Sequence, residues 1–120
     1  MQRHETVIMV VEDDRVQREA VVTWLIRRGF EVIEARDGET ALAMLRLIAV
    51  DVLFTDLLLP GVNGAELARL ARSLHPDITI VSTTGNPVLR GRMHTDDTTL
   101  LIKPYNFDEL IEEIERVLVA

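Results

Sequence analysis

The sequence predicts an α/β fold, with five parallel strands and helices covering both faces of the sheet. Three observations lead there. Apolar runs of strand length alternate with stripes of apolar residues at helical spacing. Two capping-box patterns, Asn63 with Glu66 and Asn106 with Glu109, mark helix starts. Polar residues collect where the strands should end, and open parallel sheets bind ligands beyond those ends.

The elements follow in order. Thr6 to Val11 reads as a buried strand. Arg15 to Arg28 is a helix with Ala20, Val21, Trp24 and Leu25 on one face, ended by Gly29. Asp14 is read as its cap, with Gln17 three residues on. Phe30 to Ala35 alternates, as a strand with one more exposed side does. Asp37 can cap a second helix, whose stripe is Ala41, Leu42, Leu45 and Ile48. Val50 to Thr55 is the third strand, with Asp56 at its exit. Asn63 then starts a helix carrying Leu67, Leu70, Ala71 and Leu74. Thr79 to Thr83 is the fourth strand, and Leu100 to Lys103 ends the fifth. The final helix buries Phe107, Leu110, Ile111, Ile114, Val117 and Leu118.

A chain of 120 residues fits one domain, 1–120, and no linker or repeat divides it. There is no cysteine, which excludes disulfides and thiolate chemistry. The net charge of -7 argues against direct contact with nucleic acid. His4, His75 and His94 are scattered, so a zinc site is not expected. No apolar run is long enough to span a membrane, and the N-terminus does not read as a signal peptide. The expected location is the cytoplasm.

The first strand ends in Glu12-Asp13-Asp14 and the third in Asp56. The fourth ends in Thr83-Thr84-Gly85 and the fifth in Lys103-Pro104. In a parallel sheet these converge on one edge. Packed carboxylates raise each other's pKa unless a cation intervenes. An all-oxygen set suits Mg²⁺, which often bridges to a phosphate. A lysine and a hydroxyl can hold the remaining oxygens of a phosphoryl group, and a carboxylate such as Asp56 can be its acceptor. Taken singly, each residue has a plainer reading: helix-start acids, a turn aspartate, strand threonines, a surface lysine. Thr84 is the hydroxyl chosen, because it directly precedes Gly85, with Thr83 as its rival.

Here the sequence closely resembles a family, the CheY-like receiver domains of bacterial two-component response regulators, over almost the whole chain. The family's acidic pair matches Glu12 and Asp13, and its phosphorylated aspartate matches Asp56. A proline four residues later matches Pro60, and a glycine eight later matches Gly64. The switch hydroxyl followed by a small residue matches Thr84-Gly85. The lysine-proline pair matches Lys103-Pro104, where the family often carries a cis bond. The resemblance implies a flavodoxin-like (βα)5 three-layer sandwich with strand order 2-1-3-4-5. It also implies that Asp56 takes a phosphoryl group from a histidine kinase or a histidine phosphotransfer protein. Asp13, Asp56 and the Leu58 carbonyl would bind Mg²⁺, with Glu12 acting through water. Lys103 would pair with the phosphoryl oxygens, and Thr84 would move to bond one of them. The signal would pass by contact to a downstream protein or a fused domain.

The likeness thins between Thr84 and Lys103, a stretch shorter than in most receivers. Asn86-Pro87 makes a turn, and Gly91 costs a helix about 1 kcal/mol against alanine. The fourth helix is therefore expected to be short, irregular or mobile. Leu100 stands where the family often has an aromatic reporter. The competing reading is an interaction module of the same fold that is not phosphorylated. A Mg²⁺-dependent phosphatase is disfavoured, because those enzymes place a second acid two residues after the nucleophile, and here that residue is Leu58.

Overall fold

The computed structural model describes residues 6–85 and 98–119. Five strands, β1 (Val7–Val11), β2 (Glu31–Ala35), β3 (Val52–Asp56), β4 (Thr79–Thr84) and β5 (Thr98–Ile102), form one sheet. Four helices stand among the described residues: α1 (Arg15–Arg27), α2 (Gly38–Leu45), α3 (Gly64–Leu74) and α4 (Phe107–Val119). All pairings are parallel and the strand order is β2-β1-β3-β4-β5, as the resemblance implied. The expected short helix between Thr84 and Lys103 falls largely on residues 86–97, outside the described residues.

Side-chain alternation along each strand feeds two cores. Ile8, Val10, Phe54 and Val81 face Val21, Val22 and Leu25 of α1 and Leu110, Ile111 and Ile114 of α4. Met9, Val11, Leu53 and Ile80 face Ala41 and Leu45 of α2 and Leu67, Ala68 and Ala71 of α3. These are the three layers that the sequence pattern calls for. Trp24 and Phe107 stack across the first core with ring centroids 5.1 Å apart, and the Arg28 guanidinium lies over Trp24.

The helix starts are local and follow the sequence. Asp14, Asp37, Asn63 and Asn106 each accept a hydrogen bond from the backbone N–H three residues on, at 2.7–2.9 Å. Gly29, with φ 95, turns the chain after α1. Three core assignments are corrected. Ala20 is exposed, and Val22 is buried in its place. Ile48 and Leu74 are also exposed, at 41% and 39%. Ile48 lies beyond the end of α2 at Leu45, so the stripe does not reach it. The side chain of Val117 lies outside the described residues.

Candidate functional site

β1 connects to β2 on one side and β3 lies on the other, so the sheet order reverses between β1 and β3. The crevice beyond their carboxyl ends is the natural binding place in such a sheet. Asp56 is the last residue of β3 and Glu12 directly follows β1. The Lys103 ammonium, just past β5, reaches into this crevice. It donates to Asp56 Oδ2 at 2.8 Å and lies 3.4 Å from Glu12 Oε1. Its third partner is Gln17 Oε1 at 3.3 Å.

Backbone pairing aims these groups. The Lys103 N–H donates to the Thr84 carbonyl at 2.8 Å, and the Leu57 N–H donates to the Thr83 carbonyl at 2.9 Å. These bonds tie the segments after β3 and β5 to the end of β4. The Leu58 N–H donates to Asp56 Oδ1 at 3.1 Å, so both carboxylate oxygens of Asp56 face a donor. The Lys103–Pro104 peptide is cis.

The loop from Asp56 to α3 is pinned from two sides. Gly64 sits against the strand end, with its N–H on the Leu57 carbonyl at 2.9 Å. A Cβ there would run into the backbone of Asp56 and Leu57. Gly61, after Pro60, takes φ 71, which suits glycine. Glu39 of α2 accepts from the Val62 N–H at 2.8 Å.

The electrostatics follow from this crowding. Burial pushes the Glu12 carboxyl above the usual carboxylate range. The Asp14 N–H and the Lys103 charge oppose that, whereas the Asp13 side chain and the Asp56 charge add to it. Burial alone would lower the Lys103 pKa, but its hydrogen bond to Asp56 and the charges of Asp56 and Glu12 raise it on balance. The ammonium thus acts as the cation of the carboxylate pair.

The structure brings Glu12, Asp56 and Lys103 together. Asp13 lies beside Glu12 and is exposed. Leu58 meets Asp56 through its N–H, and the residue is 63% exposed. Thr83 and Thr84 are both buried at the end of β4. Asp56 is paired with Thr83 and by alternation shares the face of Phe54 and Val81, whereas Thr84 falls on the face of Ile80. Among the described residues no group of three His, Cys, Asp or Glu side chains is gathered closely enough to hold a metal ion. The oxygen donors nevertheless fit a hard cation. Glu12 and Asp56 already share a positive charge between them, and the chain has no cysteine to draw a softer metal.

Sequence reasoning missed Arg18, which donates to the Glu12 carbonyl at 2.9 Å, and Glu39, which holds the loop after Asp56. It also gave Gln17 only a capping part. All three are contacts between elements, which periodicity does not reveal.

A groove of about 410 Å³ opens beside Lys103, lined mainly by Gln17, Ala20, Tyr105 and Phe107. Among the described residues no helix is long and apolar enough to cross a membrane.

Comparison with known proteins agrees with this fold. The family model for the response regulator receiver domain matches residues 8–115. The response regulator receiver protein CpdR of Brucella abortus is 33% identical over 116 residues, covering 94% of this chain and 97% of that protein. The crystal structure of a response regulator receiver protein from Sinorhizobium medicae WSM419 superposes with a TM-score of 0.89 at 26% identity, covering 96% of this chain and 95% of that one. The response regulator TrrA of Thermotoga maritima, in complex with Mg²⁺-BeF, superposes with a TM-score of 0.85 at 29% identity, covering 92% and 97%. The chain spans half the length or less of several other curated relatives that it matches.

Proposed function

Because this chain belongs to the response regulator receiver domain family of two-component signalling, we propose that Asp56 is its phosphoryl acceptor and that residues 1–120 act as a single receiver domain. Receiver domains work with histidine kinases and downstream effectors. The donor here is a phosphohistidine on a kinase or a phosphotransfer protein, and the response passes by protein contact in the cytoplasm. The observation that carries the reading is the Asp56–Lys103 pair, 2.8 Å apart at the carboxyl edge of a parallel sheet with Glu12 beside it.

In the transfer, an Asp56 carboxylate oxygen attacks phosphorus and the phosphorus–nitrogen bond of the donor breaks. The bonding pair stays on the imidazole nitrogen, which then takes a proton. Lys103 follows the transferred oxygens and offsets their charge. Leu58 keeps a backbone N–H on the Asp56 carboxylate. Asp13 and Asp56, with the Leu58 carbonyl, would hold Mg²⁺, and Glu12 would act through water. When bound, the cation supplies charge neutralisation for the phosphoryl oxygens. Thr84 is the hydroxyl that responds to the new group, and its movement reshapes the surface beyond β4.

The test is incubation with acetyl phosphate, with and without Mg²⁺, read by intact mass. The expected result is one added phosphoryl group that requires Mg²⁺ and is lost in Asp56→Asn. No mass gain with Mg²⁺, or a gain that survives Asp56→Asn, overturns the assignment.

A further inference from the structure

Arg18 has no part in the transfer described above, yet its side chain is only 14% exposed. From α1 it reaches two places. A terminal guanidinium nitrogen donates to the Glu12 carbonyl at 2.9 Å, and Nε donates to Glu34 Oε1 at 3.1 Å. Glu34 lies on the edge strand β2, paired with Val10 of β1. One side chain therefore ties α1, β2 and the segment after β1 together.

The oxygen it binds is informative. The Glu12 carbonyl belongs to the peptide that joins Glu12 to Asp13, so holding it sets the plane in which Asp13 follows the strand. The rest of this turn is also tied. The Glu12 N–H donates to the Ala35 carbonyl at 3.2 Å, and the Asp14 N–H donates to Glu12 Oε2 at 3.1 Å. The Arg18 N–H itself donates to the Asp14 carbonyl at 2.9 Å. Arg18 thus holds the chain on both sides of Asp13: the Glu12 carbonyl just before it with the side chain, and the Asp14 carbonyl one residue beyond it with the main chain, as the first turn of α1 requires. A planar fork with separated donors can bind Glu34 and Glu12 at once, which a single ammonium does less well.

We propose that Arg18 is a positioning residue for the divalent cation, acting on Asp13 through the Glu12–Asp13 peptide. The inference rests on the reading of Asp13 and Asp56 as the ligands of Mg²⁺. Groups that orient ligands from behind typically change metal affinity by about 10–100-fold when removed. A purely structural brace between α1 and β2 would instead lower thermal stability and leave the affinity of the folded protein unchanged.

The experiment titrates MgCl2 into wild type, Arg18→Ala and Arg18→Lys and follows backbone amide chemical shifts, which report on folded molecules. Thermal unfolding without Mg²⁺ is measured alongside. The Mg²⁺ dissociation constant is expected to rise about tenfold in Arg18→Ala, and by a smaller factor in Arg18→Lys, which keeps the charge but loses the fork. The Mg²⁺ concentration that half-saturates labelling by acetyl phosphate should shift by the same factor. An Arg18→Ala constant within twofold of wild type overturns the proposal, whatever happens to the melting temperature. Should Arg18→Ala not fold, Arg18→Lys decides: a wild-type constant overturns the proposal and a raised one supports it. A wild-type chain that binds no Mg²⁺ overturns the ligand reading and this inference together. Normal wild-type binding with an unchanged variant overturns this inference alone.

Discussion

Lys103 Nζ lies 2.8 Å from Asp56 Oδ2, and the bond joins the ends of two strands that do not pair with each other. β4 stands between them, so the contact spans the sheet edge rather than following a ladder. Both side chains are largely buried, 27% and 14% exposed, which limits screening by water and salt. The same ammonium lies 3.4 Å from Glu12, so the charge balance of the crevice depends on it.

Lys103→Ala should therefore lose phosphoryl acceptance more than stability. Removing one donor from a developing oxyanion typically costs on the order of 100-fold in rate. That loss is expected in the rate of mass gain with acetyl phosphate, in a variant whose circular dichroism still reports the fold. A Lys103→Ala variant labelled at the wild-type rate would remove the lysine from the reaction.

Gly64 tests how the acceptor is aimed. Its Cα faces the Asp56 carbonyl and the Leu57 Cα, and both are backbone that cannot swing aside. Gly64→Ala should cost about 1–3 kcal/mol, as overpacking generally does. It should also slow labelling, since the strand end must shift to admit the methyl group. Urea unfolding and labelling kinetics on the same sample check both. Full stability would show that the β3–α3 loop yields more easily than its contacts imply.

The strands, the helix starts and the acids at the strand ends were legible because each rests on local rules. Asp14, Asp37, Asn63 and Asn106 cap their helices through bonds that span only three residues. The phase of α1 was less legible. Apolar residues at 20, 21, 22, 24, 25 and 26 cover a wide arc, and packing on the sheet and α4 selects Val21, Val22 and Leu25. Ile48 was placed in a stripe because periodicity does not announce that α2 stops at Leu45. Arg18 and Glu39 stayed invisible because their partners, Glu12 with Glu34 and Val62, are set by the fold rather than by spacing along one element. The acid pair and Lys103 were found from what stands at strand ends, although nothing local links residues 12, 56 and 103.

The two threonines at the end of β4 can be separated. Thr84→Ala should still gain a phosphoryl group, because the acceptor and the lysine are untouched. It should lose the change in amide exchange that labelling produces in wild type. Thr83→Ala should keep both, although its register partner is Asp56. The opposite pattern, with the response lost in Thr83→Ala and kept in Thr84→Ala, would reassign the switching hydroxyl to Thr83.

Tyr105 offers an optical probe of the crevice. It is the one tyrosine of the chain, and its ring meets Phe54 edge-on with centroids 6.1 Å apart. Burial pushes its phenol up to about 12, and the negative charges of Glu12 and Asp56 add to the rise. The unfolded value is about 10. The folded state therefore holds the phenolic proton more tightly. The stability this confers is complete below pH about 10 and is lost as pH climbs toward 12. Ultraviolet absorbance of the phenolate should give a folded midpoint near 12 and, in denaturant, one near 10. Asp56→Asn removes one charge but leaves the burial, so it should lower the folded midpoint by less than half of the shift. A folded midpoint near 10 would mean that water reaches the ring freely. A fall to 10 in Asp56→Asn would make the Asp56 charge, rather than burial, the dominant cause.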